Sequence, residues 1–342
     1  MRTTVLSSRC CMQADAHKLI EVVKPGLATS VQDMGRQGYY HVGIPPSGSL
    51  DQYASRAANL LVGNPEQAAV LECTLLGPEL LFHTDALIAV TGAEMTPKID
   101  GVGQRCNVAL RIRAGSVLSF NYVKGGARAY LAVAGGIDVP VVLGSRSTYA
   151  LGAIGGHAGR RLQKGDRLPV GAAREPGREG RELPSAVCRP LDSQVELRVL
   201  TGLYHYRLSD ESAHTFFDDE WTVAPEADRI GYRYKNGRPL QFRPREQPFG
   251  AGADPSNIVD ACYPIGSIQV PAGLEPIILH RDAVSGGGYA TIGTVISADM
   301  DLIGQMQPNH RARFVRVTMA DALAARREYQ RRLALLRAML QD

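Results

Sequence analysis

Residues 108–134 read VALRIRAGSVLSFNYVKGGARAYLAVA, and they indicate the class of fold. Three β-rich segments follow one another there, at 108–112, 116–122 and 128–134, and Gly or charged residues separate them. Short runs rich in Val, Leu, Tyr and Phe between such turns are typical of β-strands. The stretch therefore predicts three strands in succession.

The same kind of segment recurs along most of the chain. Further strands are predicted at 19–24, 86–91, 194–200, 268–270, 276–280, 292–296 and 312–317. These strands do not alternate with helices, which argues against a Rossmann or TIM-barrel architecture. The 36 Gly and 20 Pro are scattered, as expected of many turns. The sequence predicts a mainly β protein with few helices.

Three helices are predicted, at about 50–62, 209–217 and 319–340. Asp51 is placed to cap the first helix. Thr318 is placed to cap the last one, and Asp321 lies three residues on, as in a capping box. The apolar stripe of the last helix predicts that it packs on its own domain, with docking of a partner as the alternative.

The predicted elements fall into two domains, which agrees with a length of 342 residues. Residues 1–18 are interpreted as a mobile extension, 19–171 as the first domain and 193–318 as the second. Residues 172–192 between them are rich in Gly, Pro, Arg and Glu, without apolar periodicity, and predict a linker. Residues 319–342 form the C-terminal helix.

Composition excludes several classes of function. The net charge of +4 comes without a basic block that alternates with aromatic residues, so nucleic-acid binding is not indicated. No apolar run is long enough for a membrane span. None of the six Cys forms a C-x-x-C pair, and the eight His show no metal-ligand spacing, so no metal is predicted. Walker, H-E-x-x-H and G-x-S-x-G motifs are missing. A cytoplasmic location is the default expectation.

The first of three polar loops, residues 30–51, carries candidate site residues in two groups. Gln32, Asp33 and Arg36 form one group, and Ser47 and Asp51 follow a rigid Pro-Pro pair. Carboxylate and hydroxyl groups here are suited to position or deprotonate an amide-like substrate. The alternative is structural: Ser49 or Asp51 caps the helix, and Asp33 pairs with Arg36.

The second polar loop is residues 144–160, in which Arg146 and His157 flank a Gly-rich stretch. Backbone N–H groups in such turns bind anions, and Arg is suited to carboxylates. A tight loop with purely structural glycines is the alternative.

The third polar group spans 252–270 and 280–299. Its candidates are Ser256, Asn257, Asp282, Gly287 and Tyr289. Glycines at 286–288 allow close approach of a ligand to the backbone. The residue order alone does not establish that the three groups meet in space.

Long stretches of these loops resemble one family. VQDMGRQGYYHVGIPPSGSLD, ANLLVGNPEQAAVLECTLLGPEL, GSRSTYALGAIGGHAGRRLQKGD and GGYATIGTVISAD are similar to the KipA-type proteins. That family is also called allophanate hydrolase subunit 2, the C subunit of 5-oxoprolinase, or carboxyltransferase domain subdomains A and B. The resemblance covers about residues 19–318. It implies two cyclophilin-like β-barrel domains followed by the C-terminal helix.

The resemblance also implies a function within a complex. One alternative is a subunit of an ATP-dependent 5-oxoprolinase that acts on a small amide, lactam or urea-like compound with a KipI-type partner, also called allophanate hydrolase subunit 1, and a LamB/YcsF-type subunit. Another is the carboxyltransferase component of a biotin-dependent, urea carboxylase-like system, with biotin on a separate carrier. The third is a non-catalytic regulator that binds the KipI-type protein. In the first alternative ATP acts at the level of the complex.

Under either enzymatic alternative, roles are expected for the candidate residues. Asp51 or Asp282 is expected to handle a proton, and Arg36 or Arg146 to hold an anionic group. Ser47, Asn257 and Tyr289 are expected to orient the substrate. The usual Gln-Thr-Thr-Gly-Gly-Tyr of the family is replaced here by AVSGGGY at 283–289, and residues 248–270 resemble the corresponding part of urea carboxylases more than that of 5-oxoprolinase proteins.

Overall fold

The computed structural model describes residues 18–173 and 177–341. The proposed extension therefore lies outside the described residues, apart from its last position. The chain folds into twenty strands and four α-helices within that part. The prediction of a mainly β protein with few helices is confirmed.

The N-terminal half consists of two antiparallel sheets, here called the N-terminal sheet pair. Its strands are β1 (Lys18–Lys24), β2 (Ala28–Gln32), β3 (Val70–Thr74), β4 (Glu79–Phe82), β5 (Ala86–Gly92), β6 (Pro97–Ile99), β7 (Val102–Gly103), β8 (Ala109–Ile112), β9 (Val117–Phe120), β10 (Arg128–Val133) and β11 (Arg167–Val170). One sheet has the order β11-β1-β4-β9-β6-β7 and the other β2-β3-β10-β5-β8. Apolar residues of both sheets enclose a single core.

Strand β10 shows why part of this sequence is continuously apolar. Leu131 and Val133 point into the core between the sheets. Tyr130 and Ala132, on the opposite face, pack under helix α1 (Gln52–Leu61). Successive residues of a strand alternate between its faces, so a strand covered on both sides is buried at every position. The helix predicted at 50–62 is thereby confirmed as the cover of the five-stranded sheet.

The C-terminal half contains a closed seven-stranded barrel, here called the C-terminal barrel. This half also contains a separate two-stranded ribbon. In chain order the strands of the barrel and the ribbon are β12 (Gln194–Thr201), β13 (Glu220–Val223), β14 (Gly231–Lys235), β15 (Asn257–Cys262), β16 (Ser267–Gln269), β17 (Ile277–Leu279), β18 (Gly286–Tyr289), β19 (Thr291–Val295) and β20 (Arg311–Arg316). The barrel order is β12-β19-β16-β17-β14-β13-β20, and β15 pairs with β18 in the ribbon. Trp221, Phe216 and Phe314 pack against one another in the barrel core. The β-barrel expectation is confirmed for this half.

Three helices accompany the barrel: α2 (Asp210–Asp218), α3 (Met300–Gln305) and α4 (Met319–Gln341). Helix α3 was not predicted, since its six residues are too few for a helical period to be detected. The capping box of α4 is present, because Thr318 Oγ1 accepts from Asp321 N at 3.2 Å and Thr318 N donates to Asp321 Oδ2 at 2.9 Å. No helix within the described residues is both long and apolar enough to cross a membrane.

Helix α4 packs on both halves of the molecule. Ala325 contacts the cluster of Ile296 and Ala298 beside the barrel. Leu333 and Leu336 pack with α1 against the N-terminal sheet pair. Part of the segment predicted as a linker joins the same cluster, since Leu183 and Val187 are buried there. Burial of these apolar side chains holds the two halves together.

Candidate active site

The first polar loop ends in a segment that lies between the N-terminal sheet pair and the C-terminal barrel. Successive backbone N–H groups, from Ser47 to Gln52, each donate a hydrogen bond to a different residue. In chain order the acceptors are Arg281 O (2.9 Å), Gln32 Oε1 (3.1 Å), Asp33 O (2.9 Å), Glu72 Oε2 (2.9 Å), Tyr130 Oη (2.8 Å) and Asp301 Oδ1 (3.0 Å). Acceptors from both halves therefore hold this segment in place.

An arginine of the barrel joins two carboxylates across the same boundary. Arg229 Nη1 donates to Glu72 Oε1 at 2.6 Å, and its Nε and Nη2 donate to Asp282 at 2.8 and 3.1 Å. Nη2 also donates to Gly48 O at 2.8 Å. A guanidinium has five N–H groups, so one Nη1 hydrogen is left for a ligand. Arg128 Nε lies 3.6 Å from Glu72 Oε1 and completes the network.

Neighbouring charges decide the ionisation of this network. Burial alone raises the pKa of Glu72, but Arg229 and Arg128 outweigh it and hold that pKa below its usual range. Burial likewise opposes the charged form of Arg229, yet Asp282 and Glu72 keep its pKa above the ordinary value. Both groups are therefore ionised at neutral pH.

A cavity of about 170 Å³ opens beside these charges. Its polar lining comes from both halves: Ser30, Gln32, Glu72, Thr74, Arg128, Thr148, Tyr149, Arg161, Asp228, Arg229 and Asp282. Burial and the nearby Asp282 both raise the pKa of Tyr149, so its hydroxyl stays protonated. The cavity thus presents a carboxylate that accepts N–H groups next to donors that are suited to a carbonyl oxygen.

A wider groove of about 550 Å³ leads to this cavity. The two share five lining residues, namely Ala28, Ala150, Leu151, Arg161 and Ile230. Leu27, Leu151 and Ile230 expose apolar surface there. The smaller cavity therefore adjoins a groove that exposes apolar side chains.

The structure brings the first two predicted loops together at Asp33. Its carboxylate accepts hydrogen bonds from Ser145 Oγ at 2.6 Å, Ser147 Oγ at 2.5 Å and Arg146 N at 2.6 Å. Arg36 does not form an ion pair with Asp33; it donates to Ser147 O. Asp33 therefore connects the two loops.

Several donors close to this connection are buried without a hydrogen-bond partner among the described residues. They are Nε and Nη1 of Arg36 and the hydroxyls of Ser47 and Ser49. Unsatisfied buried donors are unusual in folded proteins and often mark a place where water or a ligand binds. Arg36 and Ser47 do not line the 170 Å³ cavity, although Gln32 does.

Other predicted residues lie elsewhere. Arg146 forms an ion pair with Asp138 at 2.5 Å, and both residues line a different surface pocket. His157 lies 3.4 Å from Asp166. Of the third polar group, only Asp282 lines the cavity.

The remaining members of the third group lie on or beside the ribbon β15–β18. Asn257, Gly287 and Tyr289 belong to its strands. Ser256 precedes it, and its hydroxyl accepts a hydrogen bond from Ala272 N at 3.0 Å. The ribbon contributes no residue to the cavity lining.

Asp51 caps helix α1, as the structural alternative for the first polar loop predicted. Its Oδ1 accepts from Ala54 N at 2.9 Å, and its Oδ2 accepts from Gln305 Nε2 at 2.8 Å. Its side chain does not line the cavity next to Asp282. Burial first, and then the neighbouring Asp301, raise the pKa of Asp51 to about 6.

This raised pKa predicts how Asp51 affects stability. The folded pKa lies above the ordinary value of 3.8, so the fold binds the proton more tightly than the unfolded chain does. The stabilisation is present at low pH and is lost as the pH rises through about 6. Asp51→Ser keeps a capping hydroxyl without the charge. Relative to the wild type, it is expected to gain about 3 kcal/mol between about pH 4 and pH 7.5. Urea unfolding at several pH values measures this, and a pH-independent difference would contradict it.

Sequence reasoning predicted only Gln32 and Asp282 of the polar cavity lining and missed, among others, Glu72, Arg128, Tyr149 and Arg229. A signal was available for Glu72, because a carboxylate in the middle of the apolar strand VLECT must find a partner when that strand is buried. Arg229 carried no such signal. Within the described residues no cluster of three or more His, Cys, Asp or Glu is arranged to hold a metal ion.

Known proteins resemble this chain over most of its length. The family model described as carboxyltransferase domain, subdomain A and B, matches residues 42–316. The C subunit of the 5-oxoprolinase of Escherichia coli K12 is 36% identical over 92% of this chain and 96% of its own length. The urea amidolyase of Lachancea kluyveri is also 36% identical, over 87% of this chain.

The fold is shared with a solved structure. The crystal structure of the Kluyveromyces lactis urea carboxylase superposes on 95% of this chain with a TM-score of 0.88 and 34% identity. This chain spans only 17% of the Lachancea protein and 30% of the Kluyveromyces one. The similarity therefore concerns one part of those longer chains and nearly the whole of the bacterial protein.

Proposed function

The chain belongs to the family of the carboxyltransferase domain, subdomain A and B, and from this we propose that it is the substrate-binding component of a heteromeric enzyme acting on a small amide, lactam or urea-like compound. The observation that supports this most directly is the 170 Å³ cavity beside Arg229 and Asp282. Its size suits a small molecule, and its lining joins both halves of the chain.

In the proposed complex, substrate N–H groups bind to Asp282. This carboxylate is held in place by two donations from Arg229, and its remaining lone pairs are available to the cavity. The substrate carbonyl accepts hydrogen bonds from the free Nη1 hydrogen of Arg229 and from the hydroxyl of Tyr149. Such donors stabilise negative charge that develops on a carbonyl oxygen during reaction. In the carboxyl-transfer form, Asp282 accepts the proton that the substrate nitrogen loses as its bond to the carboxyl carbon forms. In the lactam-opening form the nitrogen leaves the carbonyl carbon and gains a proton, so there Asp282 only orients its N–H group.

The first form of the proposal is a lactam-opening enzyme, in which this chain works with a KipI-type and a LamB/YcsF-type subunit and ATP is used by the complex. The near-complete coverage of the C subunit of 5-oxoprolinase supports it.

The second form is a carboxyltransferase that receives its carboxyl group from biotin on a separate carrier. The apolar entrance groove supports it, because a narrow tethered group reaches the inner cavity along that route. Leu27, Leu151 and Ile230 are the residues of this chain that would contact such a group. Biotin supplies the activated carboxyl group when it is bound. The similarity to urea carboxylase supports the same alternative.

One variant tests the shared part of both forms. Asp282→Asn is expected to weaken binding of the true substrate by about 10- to 100-fold, since hydrogen bonds to a charged group contribute roughly 1.5–3 kcal/mol. Calorimetry on the full chain with 5-oxoproline and with urea measures this. Asp138→Asn, which removes a carboxylate outside the cavity, is the matched control. Equal affinities of the Asp282→Asn variant and the wild type for a compound that binds would refute the assignment.

Turnover by the complex separates the two forms. The full chain is co-expressed with its KipI-type partner, and ATP hydrolysis is measured with each compound, with and without biotin carboxylase and biotinylated carrier. Substrate-dependent hydrolysis without biotin supports lactam opening, and activity only with the carrier supports carboxyl transfer. A stable complex that turns over neither compound would favour the third alternative, a regulator of the KipI-type protein.

A further inference from the structure

A second cavity, of about 270 Å³, lies between helix α1 and residues 188–191. It shares no lining residue with the candidate active site. A small side chamber shares Asp51, Arg189, Pro190 and Leu191 with it. Asp51 thus borders both spaces, beneath the segment that joins the two halves of the chain.

Asp51 has no cationic partner among the described residues. Its side chain is only 4% exposed, and both of its hydrogen bonds come from neutral amides, Ala54 N and Gln305 Nε2. Buried carboxylates are normally paired with a cation. A carboxylate also accepts about four hydrogen bonds, so Asp51 retains capacity that faces the cavity.

The nearest arginine is already engaged with another carboxylate. Arg189 Nη1 lies 3.0 Å from Asp301 Oδ2, and its guanidinium is 5.7 and 5.9 Å from the ring centroids of Tyr53 and Tyr329. Asp301 also accepts from the Tyr329 hydroxyl at 2.7 Å. Arg189 also lines the cavity, but its guanidinium is fixed on Asp301 and forms no ion pair with Asp51.

The remaining walls indicate what kind of cation fits. Apolar surface comes from Ala54, Ala57, Leu183, Pro190 and Leu191. The exposed Glu94 stands at the rim, and no ion pair to it occurs in the part of the chain that the structure describes. An apolar chamber with a carboxylate at its base and another at its rim attracts a cation with an apolar body.

We propose that this cavity binds a small ligand that carries an ammonium group on an apolar body, with Asp51 as its counter-ion. The ammonium donates to the cavity-facing lone pairs of Asp51, and the apolar body packs against Ala57, Leu183 and Leu191. This site is separate from the one in the proposed function and does not depend on it. Capping of helix α1 accounts for the hydrogen bond at Oδ1 of Asp51. It does not account for the cavity beside Asp51 or for the lack of an ion pair from any described residue to this buried carboxylate.

Calorimetry on the full chain with n-butylammonium tests the proposal, with n-butanol as the neutral probe of similar shape. Butylammonium is expected to bind saturably, at least ~10-fold more tightly than butanol and more tightly than ethylammonium, because each buried methylene adds affinity. Asp51→Asn keeps the helix cap and is expected to weaken butylammonium binding at least ~10-fold. Asp51→Ser serves as a second variant, and Asp282→Asn is expected to leave this binding unchanged.

A footprint locates the ligand independently of affinity. Cys188 lines this cavity, whereas Cys262 lies on the ribbon, and both are exposed free thiols. Butylammonium is expected to slow alkylation of Cys188 by iodoacetamide and to leave Cys262 unaffected, as followed by mass spectrometry. Equal binding of butanol and butylammonium, undiminished binding by both Asp51 variants, or no saturable binding at millimolar concentrations would each overturn the proposal.

Discussion

Arg229→Met is expected to lower the free energy of unfolding by about 3–5 kcal/mol and to abolish substrate binding in the 170 Å³ cavity. The substitution leaves Glu72 and Asp282 buried as carboxylates without their shared cation. It also removes the donation to Gly48 O that ties the barrel to the first loop. Removal of one member of a buried ion network costs more than the network contributes, because the remaining charges stay desolvated.

Urea unfolding of the full chain at neutral pH measures this loss. The double variant Arg229→Met, Asp282→Asn removes the cation together with one of its carboxylates and leaves Glu72 beside Arg128, so it is expected to recover much of the lost stability without regaining substrate binding. Arg229→Lys is expected to fall between the wild type and Arg229→Met, since a single ammonium cannot reach both carboxylates as a guanidinium does. An Arg229→Met protein as stable as the wild type, or a double variant less stable than Arg229→Met alone, would contradict the proposed role of the buried charges.

Gly155→Ala is expected to destabilise the protein by about 3–4 kcal/mol. Gly155 has φ +67°, and a Cβ there would lie 2.2 Å from Ser147 O and 2.6 Å from Arg36 Nη2. The substituted residue therefore adopts a strained backbone and displaces the carbonyl that Arg36 donates to. The Ser147 hydroxyl bonded to Asp33 moves with it, so the two polar loops separate.

Gly144→Ala is the matched control in the same loop. Its φ of +78° is similar, but nothing lies within 4 Å of the position of the added Cβ. Only the cost of the left-handed backbone remains, about 1–2 kcal/mol. Thermal and urea unfolding of both variants measure the difference, and equal losses would show that the close approach of Gly155 to Ser147 is unimportant.

Local patterns were sufficient to predict half of the strands and the long helices. The strand predicted at 128–134 is β10, and the helix predicted at 319–340 is α4 with its capping box. Alternation of side chains along a strand and capping at a helix end are properties of neighbouring residues, so they are visible in one sequence. Helix α3 has six residues, and no pattern of that length distinguishes it from a turn.

Local patterns in the sequence predicted only part of the candidate site. Gln32 and Asp282 were predicted and line the cavity, whereas Arg146, His157 and the residues of the ribbon lie elsewhere. Polar residues in Gly-rich loops are a signal of function, but that signal does not say which loops meet. Arg229 was missed because it follows an ordinary turn and acquires its importance from two distant carboxylates.

The sequence by itself determined the class of fold, the family and the loops in which polar chemistry is concentrated. These depend on residue order and local periodicity, which folding does not alter. Only the tertiary structure decided that Glu72, Arg229 and Asp282 form one network across the two halves, and that Asp51 faces a different cavity. Contacts between residues more than fifty positions apart arise from burial and packing of whole sheets, and no local pattern records them.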